Sequence, residues 1–176
     1  AWRLHLALTM AFAYHSYVSP HLRRVTQDPF KPIPGSCVNL TCRIPDCSRS
    51  PTTTTISGVV TIPAGTLPLY NATVYIPNAP VGPLAQGASC QRCDMENSGS
   101  PIVTTHTDVD GRFVLRDVPA GADIPVVVTL GKWRRQLTIP AVAACTDNPV
   151  SAEATRLPRR QSEGDIPRIA LTTGWA

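Results

Sequence analysis

From Ser57 onward the chain alternates short apolar runs with polar turns. SGVVTI (57–62) is the first run and closes on Pro63-Ala64-Gly65. In ATVYIP (72–77), Val74 and Ile76 alternate with Thr73 and Tyr75, the period of a half-buried strand. PIVTTHT (101–107) and GRFVLRDV (111–118) predict two more strands, the second with Phe113 and Leu115 on one face. IPVVVTLG (124–131) is almost continuously apolar and predicts a central strand. KWRRQLTIP (132–140) follows after a Gly-Lys turn, and IPRIALTT (166–173) supplies the last strand. No long helix is predicted. Seven short strands between Pro- and Gly-rich turns predict an all-β fold, a seven-stranded antiparallel Greek-key β-sandwich.

The flanks read differently. Residues 1–35 form an irregular leader without strand pattern. Within it, RLHLALTMAFAYHS carries a basic residue, a short apolar run and Ala11-Phe12-Ala13, which resembles the remnant of a secretory signal. Residues 36–55 predict a Cys- and Thr-rich linker, and 56–174 the sandwich. A long loop, NAPVGPLAQGASCQRCDMENSGS (78–100), joins the second and third strands.

Composition narrows the function. A chain of 176 residues with 43 % apolar content fits one globular domain. Its net charge of +4 is scattered and does not argue for nucleic acid. No stretch has the length of a membrane-spanning helix. Six cysteines, an even number, point to an oxidising compartment, secreted or at the cell surface.

TDVDGRFVLRDVPAG (107–121) poses the sharpest chemical question. Asp108 and Asp110 offer too few oxygens for an EF-hand type calcium loop, and no terminal Glu follows. Asp110-Gly111 between alternating strands is instead a turn signal. Cys90-x-x-Cys93 would need two more ligands for zinc, Cys145 or His106 being the candidates, and a helix N-terminus for redox work. If consecutive strands run antiparallel, Cys37, Cys42, Cys47, Cys90, Cys93 and Cys145 all fall at one end of the sandwich, together with the 78–100 loop. The expectation is disulfides, with no metal and no cofactor. Six cysteines leave fifteen connectivities open.

Trp133 between Lys132 and Arg134-Arg135 has two readings. It stacks on a sugar with its arginines, or it turns into the core with Leu137 and Ile139. In the second case Lys132, Arg134 and Gln136 face water and Arg135 needs a partner. RLPRRQSEGDIPR (156–168) reads as a solvated, salt-bridged loop. Asn39-Leu-Thr and Asn71-Ala-Thr match the N-glycosylation pattern, both expected silent.

SGVVTIPAGTLPLYNATVYI, then Thr107-Asp108-x-x-Gly111-x-Phe113 and Pro119-x-Gly121, resemble the carboxypeptidase regulatory-like domain. That family is a transthyretin-type, prealbumin-like β-sandwich. The match spans roughly 56–140 and is closest to secreted proteins of myxobacterial type carrying this module. The resemblance implies a surface or secreted module. Catalysis is not expected. There is no His-Glu-x-x-His helix, no Gly-x-Ser-x-Gly and no phosphate loop. His5, His15 and His21 lie in the leader and leave His106 alone among the strands. Ring-cleaving dioxygenases of related shape use two Tyr and two His for iron.

The expected function is therefore a non-catalytic β-sandwich module with a structural or binding role. Its partners would be a protein or a polysaccharide at the cell surface, met by residues 77–100 and 140–166. Two alternatives stand beside it. One is a carbohydrate-binding module using Trp133, Arg134 and Arg135. The other is a subunit of an extracellular assembly, self-association included, in which the leader or the Thr run adds a strand to a neighbour.

Overall fold

The computed structural model describes residues 37–85, 87, 97–168 and 174. The leader, the signal-like stretch, Cys90, Cys93 and the 169–173 part of the expected last strand lie outside the described residues. What is described is mostly β, in two sheets. The strands are β1 (Thr55–Val59), β2 (Thr73–Pro77), β3 (Pro101–His106), β4 (Arg112–Arg116), β5 (Gly121–Leu130), β6 (Trp133–Val142) and β7 (Asp147–Pro149). One sheet has the order β4-β1-β7, the other β3-β2-β5-β6. A helix α1 (Ala152–Thr155) and a 3-10 turn (Asn39–Arg43) complete the described elements.

β2, β3, β4 and β6 form where the apolar alternation places them, while β1 lies two to three residues before the expected 57–62 and β5 starts three residues before the expected 124. Two larger details differ from expectation. The seventh strand is Asp147–Pro149, and it runs parallel to β1, so the sandwich is not wholly antiparallel. Nothing apolar marks this segment. Side chains hold it: Asp147 accepts the hydroxyls of Thr55 (2.6 Å) and Ser57 (2.7 Å). Asn148 Nδ2 donates to the carbonyls of Thr55 and Ala143, and its Oδ1 accepts the Ala143 N–H. Secondly, residues 166–168 are not in a strand; Asp165 makes a single antiparallel bridge to Arg134.

Ile56, Val60, Val74, Ile76, Phe113, Leu115, Ile124, Val126, Val128 and Ile139 fill the space between the sheets. Tyr75 and Val127 are just as buried but point the other way, out of the four-stranded sheet. The unbroken Val126-Val127-Val128 run is the sequence mark of a strand covered on both faces.

The motif at 107–113 is architectural. Thr107 Oγ1 donates to the Leu69 carbonyl (2.6 Å) and accepts the Ala72 N–H (2.8 Å), tying the 63–71 loop to the turn. One Asp108 carboxylate oxygen accepts the N–H groups of Asp110 (2.9 Å) and Arg112 (2.8 Å). Gly111 sits at φ +70°, and a Cβ there would lie 2.6 Å from the Val60 carbonyl oxygen. Asp108 is thus spent on the backbone of a turn, which is the second of the two readings its sequence allowed.

Candidate functional site

The cysteine-rich segment belongs to the packed structure rather than linking to it. Cys37 pairs with Cys42, and Cys47 with Cys145. Thr54, in the threonine run, is buried at 1 % exposure. Its hydroxyl accepts the Cys145 N–H (2.8 Å), and its carbonyl accepts the Val118 N–H (3.2 Å). Arg43 docks on the Pro119–Gly121 corner: Nε donates to the Ala120 carbonyl (3.0 Å) and Nη2 to that of Ala122 (2.5 Å). Gly121, at φ +108°, leaves the room that the guanidinium fills. The four described cysteines share this end of the sandwich.

The described stretches of the long loop, 78–85 and 97–100, do not stay at that end. They lie over the outer face of the four-stranded sheet. Gly82 presents its carbonyl to Arg134 Nη1 (2.8 Å), and Asn78 and Ala79 donate backbone N–H groups to Gly99. Ser98 lies 3.5 Å from the same Arg134 nitrogen. Burial pushes the Tyr75 phenol above its usual range, against the pull of Ser98 and Arg134. The sequence alone places the loop at the cysteine-bearing end. Its described stretches return because Tyr75 and Val127 offer them an apolar face to cover.

The same return buries Arg134. The strand period places it outward, as expected, but it does not face water: it is 5 % exposed. Its Nε and Nη2 both reach Asp165 Oδ2 (2.8 Å), a forked pair that takes the place of hydration. Arg135, on the inner side, finds the carbonyls of Glu153 (3.0 Å) and Arg156 (3.2 Å). Trp133 is half-buried and packs against the core.

Between the two loop stretches lies a cleft of about 1290 Å³. Lys132, Arg134 and Gln136 form its floor, residues 81–85 with Gly87 one wall and 161–168 the other. The second wall is held from behind by Arg156, itself 5 % exposed. Its Nη1 and Nη2 fork onto Glu163 (2.8 and 3.1 Å), and Nε donates to Glu153 (2.7 Å). Arg156 first, then the Arg159 N–H, holds the Glu163 carboxyl well below the usual carboxylate range. The 156–168 segment is salt-bridged as expected, but around a buried arginine. The i,i+3 spacing to Glu153 is a signal for Arg156 as a structural centre; its second partner, Glu163, is set by the loop's path.

Among the described residues no group of three or more His, Cys, Asp or Glu is placed to hold a metal. His106 is exposed, its Nδ1 3.3 Å from the Thr73 hydroxyl. No helix among them is long and apolar enough to cross a membrane.

No protein-family model matches the chain, and no curated protein matches it. Among solved structures it is similar to a chain of a type II cohesin–X-dockerin complex, a C-terminal interface mutant from Acetivibrio cellulolyticus. Identity is 22 %, coverage 59 % of this chain and 56 % of that one, and the TM-score 0.36. The N-terminal interface mutant of that complex gives 18 % identity, the same coverage and a TM-score of 0.35. Catechol 1,2-dioxygenase from Acinetobacter sp. ADP1 gives 14 %, coverage of 74 % and 60 %, and 0.34. The chain spans less than two thirds of each of these neighbours. Overlaps this loose carry no functional argument.

Proposed function

We propose that this chain is a non-catalytic, secreted or cell-surface β-sandwich module with a binding role, a Greek-key sandwich of the carboxypeptidase regulatory-like kind. One observation carries the reading. The residues expected to meet partners, 77–100 and 140–166, supply both walls of the cleft over Arg134. Loops on a rigid scaffold are where recognition concentrates. Two disulfides favour an oxidising compartment.

The sugar-stacking alternative has less support, because Trp133 packs on the core and both arginines are engaged. In the assembly alternative the Thr run is not available as a donor strand, since Thr55 pairs with Arg116 on one side and Asp147 on the other. Fluorescently labelled, oxidised protein titrated onto intact cells of the source organism tests the reading. Saturable binding, lost when Gln136→Trp fills the cleft floor, is expected. Binding that survives a folded Gln136→Trp variant sinks the assignment to the cleft, and non-saturable adsorption sinks the module reading itself.

A further inference from the structure

The carboxylates of the cleft are already neutralised. Asp165 pairs with Arg134, and Glu163 with Arg156 and Arg160. Two of its cations are not. Among the described residues Lys132 donates only to the carbonyls of Ala85 and Gly87, and Arg168 is exposed with no carboxylate partner. The remaining charge of the lining is positive. Val81, Pro83 and Leu84 make one wall apolar, and among the described residues no aromatic side chain lines the cleft to offer a sugar a platform.

The backbone of β6 adds an anchor. Arg134 uses both its N–H and its C=O on Asp165 (3.0 and 2.8 Å), on the side away from β5. Antiparallel ladders alternate, so the N–H and C=O of Gln136 face that same outer side. Pro125, opposite Thr138, and Pro140 fit this alternation, since neither position needs an N–H in the ladder.

We propose that the cleft receives an extended acidic peptide of a partner protein, its main chain bonded at Gln136 and its carboxylates facing Lys132 and Arg168. The proposal deepens the binding-module reading and rests on it. Strand addition draws affinity from main-chain bonds and specificity from the side-chain pockets beside them. The unpaired cations set charge preference and register.

Fluorescence anisotropy of the full chain with a labelled octapeptide of alternating Thr and Glu tests it, with alternating Thr and Lys as control. Only the acidic peptide binds saturably. Arg168→Glu and Gln136→Pro each weaken it about tenfold, with unchanged urea midpoints. Equal binding of both peptides, or full affinity in a folded Gln136→Pro variant, overturns the proposal. Tighter binding by the Asp94→Asn, Glu96→Gln double variant would hand the cleft to the chain's own loop and overturn it too. No peptide binding with cell binding intact removes this proposal alone; loss of both removes the module reading as well.

Discussion

The two described disulfides close loops of very different length, and this sets their contributions apart. Cys47 and Cys145 are 98 residues apart, Cys37 and Cys42 only 5. In the chain-entropy account a cross-link stabilises by restricting the unfolded chain, as the logarithm of loop length. That gives about 4.7 kcal/mol for the long loop and about 2 kcal/mol for the short one. The long bridge also holds Thr54 and the segment around Cys47 against the sheet end, and it is the one described disulfide that joins that segment to the sheets. The perturbation is the paired substitution Cys47→Ala with Cys145→Ala, against Cys37→Ala with Cys42→Ala, so that neither variant is left with half of the removed pair. With a urea m-value near 2 kcal/mol/M, the midpoint falls by about 2.3 M in the first and about 1 M in the second. Equal shifts, or a larger one for the short loop, would refute the entropic reasoning. It would mean that the packing of the 3-10 turn, rather than loop closure, governs this end of the molecule.

Two further outcomes follow from the buried contacts. Glu163 and Asp147 both have carboxyls held below their usual range, by Arg156 and by the Thr55 hydroxyl respectively. Their contribution is complete above the unfolded carboxylate value, about 4, and is lost as pH falls below it. Thermal melts are therefore flat from pH 7 to about 5 and drop in more acid solution, less steeply for Glu163→Gln; a steeper acid limb in that variant would contradict the assignment. Gly121→Ala costs more than about 1 kcal/mol because its φ is positive and Arg43 fills the space. In an Arg43→Ala background the steric part of that cost disappears, and a double-mutant cycle showing no coupling would exclude the contact.

Most of the β-sheet framework was legible in the residues. Alternation at Val74/Ile76 and Phe113/Leu115 marks faces directly, and the continuous Val126–Val128 run announced a strand with no wet side. What escaped notice depends on contacts remote in sequence. β7 has no apolar pattern, because its pairing is made by the side chains of Asp147 and Asn148 on a strand some ninety residues earlier. Arg134 looked solvent-facing because periodicity gives direction, not what lies in that direction. Asp165 and Gly82, which cover it, are separated from it by 31 and 52 residues. Disulfide connectivity is open for the same reason: spacing does not encode which loops meet.

Laying residues 78–85 and 97–100 across the sheet changes what kind of scaffold this is. A hairpin tip can be shortened, swapped or randomised at little cost, whereas a segment that roofs Tyr75 and keeps Arg134 dry has become part of the foundation. Libraries built on this sandwich belong at short turns outside the cleft, and not in the stretch whose length most invites diversification.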